Sequence, residues 1–94
     1  MTLFLNVPVT EDHILRGSHR GEWCPLACAL RDMGCAHVNV SYGMIRIKMH
    51  GQTLYASHTK QSKNFIFNYD EDAEVTPQTI TGLVFVTRES FKFF

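Results

Sequence analysis

VNVSYGMIRIKMHGQTLYA, residues 38–56, is the stretch whose reading decides the fold. Val38, Val40 and Tyr42 alternate with Asn39 and Ser41, and beyond Gly43 the alternation resumes as Ile45, Ile47 and Met49 against Arg46, Lys48 and His50. A period of two marks strands with one buried face. The Gly51–Gln52 turn leads into Thr53–Ala56, completing a three-stranded antiparallel meander with one apolar and one basic face. The apolar face calls for helices to cover it.

Working outward, Leu3, Leu5, Val7 and Val9 alternate with Phe4 and Asn6 and read as a first strand. Thr10 can cap the orphan amides of a two-turn helix, with Glu11 and Asp12 where the helix dipole favours carboxylates and Gly17 at its stop. Pro25 suits a first helical position, Leu26, Leu30 and Met33 follow on one face, and Gly34 ends that helix. Downstream, Phe65, Phe67 and Tyr69 fit a strand, whereas Ser62, Phe65, Ile66, Tyr69 and Ala73 fit a helical stripe. Length and the candidate cap Ser57 predict a helix over residues 57–73. Pro77 closes it, and the β-rich run Ile80–Thr87 predicts a strand at Leu83–Thr87, paired with the first. The expected architecture is a small single α+β domain, residues 1–94, of order β-α-α-β-β-β-α-β: an antiparallel sheet, the meander plus terminal strands, packed against two or three helices. Leu26, Leu30, Val38, Val40, Ile45, Ile47, Phe65 and Ile66 form its expected core. Phe91, Phe93 and Phe94 exceed what a terminal segment exposes, so burial within the domain or across an oligomer interface is expected.

A chain of 94 residues, 45% hydrophobic and 19% charged, is too apolar for disorder and too short for a second core. Nine Lys+Arg balance nine Asp+Glu, which argues against a general nucleic-acid binder. The balance hides an asymmetry: no carboxylate lies between Met33 and Tyr69, a stretch holding Arg46, Lys48, Lys60, Lys63, His37, His50 and His58. A local anion-attracting field follows. No apolar run approaches the roughly 20 residues that span a bilayer, so no membrane partner is expected. Three cysteines without a leader sequence point to a reducing cytosol.

Cys24 precedes Pro25 near the positive end of a helix, where a thiolate is stabilised. With His13 or His19 it describes a Cys–His hydrolase, against the plainer reading of a small buried hydrophobe. Cys24, Cys28 and Cys35 lack the paired spacing of a zinc site, so neither metal nor cofactor is expected. The segment HILRGSHRG, residues 13–21, offers His13, Arg16, His19 and Arg20 as phosphate contacts ahead of a helix N-terminus. The competing reading is a solvated loop in which His13 caps or packs. It is not a P-loop, since the Lys-Ser/Thr ending is missing. Arg46, Lys48 and His50 form either a solvated outer face or, with Asn39, Ser41 and Tyr55, a polar platform for a small anion or a partner. Tyr42 or Tyr55 offers a ring on which a base can stack. Asp70, Glu71, Asp72 and Glu74 read as a solubilising helix end.

His13-Ile14-x-x-Gly17 followed by Cys24-Pro25-Leu26-Ala27-Cys28-Ala29-Leu30 resembles a group of small bacteriophage proteins with the pattern H-I-x-x-G, a short polar loop, then C-P-[LIV]-A-x-A-L. Phe65-Ile66-x-x-Tyr69-Asp70 and Val75-Thr76-Pro77 match the remainder of that pattern; the phenylalanine-rich tail departs from it. The resemblance implies an accessory phage product acting in the cytoplasm of the bacterial host by binding a host component, either a defence protein or the nucleotide signal such an enzyme makes. The reading that follows is a non-enzymatic counter-defence protein that sequesters a nucleotide-like anionic ligand. The alternative is a protein–protein inhibitor of a host enzyme, using a strand edge, the acidic helix end or the aromatic tail; a Cys–His hydrolase is the third. A homo-oligomer is expected, a dimer first, because so small a monomer has little room for a ligand pocket of roughly 300–1,000 Å³.

Overall fold

A computed structural model describes residues 2–91. Alternation makes β1 (Thr2–Val9), β2 (Ala36–Val40), β3 (Ile45–Met49), β4 (Gln52–Ala56) and β5 (Gln78–Val86), and helical spacing makes α1 (Glu11–Arg16), α2 (Pro25–Asp32) and α3 (Lys60–Asp70). The strands form one antiparallel sheet in the order β1-β5-β4-β3-β2, so the α+β class, the meander and the pairing of the terminal strands are all present.

One face of the sheet is buried. Val7, Val38, Ile45, Ile47, Leu54, Ile80, Leu83 and Phe85 point inward against Leu26, Ala27, Ala29 and Leu30 of α2 and Phe65 and Ile66 of α3. All eight expected core residues lie in this cluster. Helix α2 touches both edge strands, β1 and β2, so the sheet curls around it. The other face stays open to solvent, as one-sided antiparallel sheets commonly do.

Several boundaries differ from expectation, each for a local reason. The cap of α3 is Thr59, not Ser57: the Thr59 side chain takes the Ser62 amide while Ser62 takes the Thr59 amide, a reciprocal box that starts the helix at Lys60 and leaves it ending at Asp70. Strand β2 begins at Ala36 and stops at Val40, where the Ser41 amide turns to the Met44 carbonyl, so Tyr42 sits in a turn. Strand β5 is longer than Leu83–Thr87 and contains a bulge. Its register with β1 shifts between Leu5 and Val7, Gly82 takes φ +77°, and Ile80 and Leu83 both face inward although they are three apart.

Beside the bulge β4 and β5 meet at one register pair, Tyr55 with Val86. Gln61 of α3 takes over where β4 leaves: its amide donates to the Thr79 carbonyl at 2.8 Å and accepts from the Thr81 amide at 3.0 Å. One side chain thus does what a strand residue would do. Phe91 turns back against Tyr55, with ring centroids 5.7 Å apart, whereas Phe93 and Phe94 lie outside the described residues.

Candidate ligand-binding face

Of the six residues singled out as ligand contacts, five occupy three separate places and the sixth, Arg20, stands apart from them. His13 is 6% exposed and serves α1 itself. Its Nδ1 accepts from the Thr10 amide at 2.9 Å, which leaves the proton on Nε2, donated to Asp32 at 2.7 Å. Arg16 donates to Asp12 at 2.7 Å and to the same Asp32 oxygen at 3.1 Å. The His13 bond, reinforced by Arg16, holds the Asp32 carboxyl below its ordinary range, while Asp12 above all raises the Arg16 guanidinium. These groups pin α1 to the end of α2.

The rest of the loop motif also packs. A Cβ on Gly17 would lie 2.7 Å from the Pro25 ring, and one on Gly21 would lie 2.5 Å from the Val40 carbonyl. Both glycines are required by close approach. His13, Gly17 and Gly21 therefore sit at the contacts that join α1, its loop, α2 and β2.

The second place is a small cleft of about 130 Å³ lined by His19, Cys24, Tyr42 and Asp70 among others. Tyr42 donates to Asp70 at 2.5 Å, a bond that raises its phenol. His19 lies 3.9 Å from Asp70 and 3.4 Å from Asp72, with its ring near Tyr69. A phosphate entering here would meet two carboxylates, so the acidic cluster is more than a solvated helix end: it partners His19 and Tyr42. Cys24 forms the floor. Burial pushes its thiol up to about 11 despite the opposing Leu26 and Ala27 amides, so near neutral pH it is a thiol rather than the thiolate its helix-end position suggests. Arg20 is exposed, and among the described residues its side chain has no partner.

The third place is the open face of the sheet. Asn39, Arg46, Tyr55, Val86 and Thr2 stand side by side in register, one from each of the five strands. Lys48 and Thr53 form the next row. Among the described residues, not one strand residue is an Asp or a Glu. Two recesses flank Tyr55, one of about 370 Å³ lined by His37, Arg46, Lys48 and Thr53, the other of about 440 Å³ lined by Met44, Arg88 and Phe91. The Arg88 guanidinium lies 5.8 Å from the Tyr55 ring centre, within cation–π range. Arg88 was not among the expected contacts; lying beyond the last alternating residues, it reaches this face through the turn at Thr87–Phe91. His50 departs from the platform, since its φ of +53° places it in the β3–β4 turn.

Among the described residues, no cluster of three or more His, Cys, Asp or Glu is placed to hold a metal ion, and no helix is long and apolar enough to cross a membrane. Comparison with protein-family models, curated proteins and solved structures finds no match.

Proposed function

We propose that this is a non-enzymatic binding protein that holds a nucleotide-like anionic ligand on the open face of its sheet, with Tyr55 stacking the base and Arg46, Lys48 and Arg88 meeting the phosphates. The observation that supports it is a tyrosine set between two recesses on a cationic face whose strands hold no carboxylate. Field and shape agree there. Arginine suits bidentate phosphate contact, and an aromatic ring accepts any base on its π-face. The loop cations are a poorer choice, because His13 and Arg16 are engaged with Asp12 and Asp32 and His19 faces Asp70 and Asp72. The resemblance to small bacteriophage proteins supplies the setting: a product made in an infected bacterium, withdrawing a signalling nucleotide in the host cytoplasm from the defence protein that responds to it.

The test is equilibrium titration with a fluorescent adenine nucleotide. Arg46→Ala and Tyr55→Ala should each weaken binding about ten- to a hundredfold, as expected for one charge-assisted or stacking contact of about 1.5–3 kcal/mol. Binding should fall as salt rises, and Arg16→Ala and Arg20→Ala should leave it unchanged. Loss of binding in the arginine loop variants, with Arg46→Ala and Tyr55→Ala silent, returns the site to residues 13–21. No nucleotide binding at all, with a host polypeptide recovered instead, replaces sequestration by the inhibitor.

A further inference from the structure

The two edges of the sheet are finished differently. Strand β2 is short, carries His37 at φ +49°, and has its outer backbone engaged: the Val40 amide donates to Gly21 and the Val38 carbonyl accepts from Arg31. These are the devices by which proteins blunt an edge. Strand β1 has none of them along Thr2–Asn6. It bears no charge there, and among the described residues these five make no backbone hydrogen bond outside their pairing with β5.

The same five residues leave apolar surface on both faces. Phe4, on the open face, is 72% exposed, and Leu3 and Leu5, on the helix side, are only half-buried, although Val7 farther along the strand is fully covered. Something that pairs with this edge would cover all three.

We propose that the partner is a second copy of this chain, joined by antiparallel pairing of Thr2–Asn6 with itself about Phe4. A two-fold interface must be complementary to itself, and the sequence Thr2-Leu3-Phe4-Leu5-Asn6 is chemically palindromic. Phe4 meets its own copy, Leu3 meets Leu5, and Thr2 meets Asn6. Aromatic meets aromatic and aliphatic meets aliphatic, the cross-strand pairs that stabilise sheets, and no like charges oppose. The result is a ten-stranded sheet with two copies of the open face side by side.

Sedimentation of the full chain at micromolar concentration should report a dimer. Phe4→Lys, an exposed position that leaves the fold intact, places two ammonium groups opposite each other and should raise the dimer Kd about tenfold or more. Register is read separately by mild oxidation with diamide. Phe4→Cys, facing its own copy, should cross-link, whereas Thr2→Cys, facing Asn6, should not. Wild type, whose three cysteines are buried, serves as the blank. A chain that stays monomeric overturns the proposal, as does a dimer indifferent to Phe4→Lys or one in which Thr2→Cys links as readily as Phe4→Cys. Tyr55→Ala should remain dimeric, which separates this edge from the ligand face.

Discussion

His58 shows how a single side chain can couple distant segments and make their union depend on pH. Its Nε2 donates to the Ser41 carbonyl at 2.5 Å and its Nδ1 takes the Ser62 hydroxyl at 2.9 Å, tying the β2–β3 turn to the first turn of α3. Burial holds this imidazole below its ordinary value of 6.5, with Lys63 acting in the same direction and the Ser41 bond opposing. The unfolded chain therefore takes up this proton at a higher pH than the folded one. Stability from His58 is whole above about pH 6.5 and is lost as pH falls from there through the folded value. Urea midpoints at about pH 7.5 and about pH 5.5 should accordingly differ more for wild type than for His58→Gln. A slope unchanged by the substitution would place the acid sensitivity elsewhere. His13 teaches the companion lesson about legibility. Its capping position was readable from Thr10 three residues earlier, but Asp32, its other partner, is 19 residues away on another helix, and no local pattern marks such a pair.

At the scale of elements, periodicity succeeded wherever it stayed in phase. The meander and α2 were legible because Val38 to Ala56 alternates between its turns and because Pro25 and Gly34 bracket one apolar stripe. Strand β5 was foreshortened because its bulge turns Ile80 and Leu83 to the same face, breaking the period at Gly82. Gly82 holds φ +77°, and a methyl group there would touch only Thr59, at an ordinary 3.7 Å. Gly82→Ala should therefore cost about 1–2 kcal/mol through backbone strain alone. Chemical denaturation measures it, and a neutral result would mean the bulge relaxes at no cost. The box at Thr59 and Ser62 was visible in the sequence, yet Ser57 was an equally good residue type; only the geometry of the last β4 residues separates them.

For the molecule as a whole, the packed core and the proposed ligand site fall on opposite faces of one sheet. Leu30 and Ile47 are fully buried in the core, so Leu30→Ala and Ile47→Ala should each cost about 2–5 kcal/mol in thermal or urea unfolding while any surviving folded protein keeps its ligand affinity. A cost under about 0.5 kcal/mol for both would contradict the observed packing. Half of the open face was legible, since Arg46, Lys48 and Tyr55 share a side by simple alternation and strand pairing. Arg88 was not, because a turn rather than a strand delivers it. The pairing of β1 with β5 has one more consequence, which concerns time. Strand β1 ends at Val9, and its one strand neighbour among the described residues, β5, begins at Gln78. At a synthesis rate of about 5–20 residues per second, roughly 70 intervening residues keep β1 waiting for about 4–14 seconds. Throughout that interval β1 has no strand partner on the growing polypeptide, although α2, which packs against it, is made early on. The backbone of this segment thus stays unpaired until β5 has emerged.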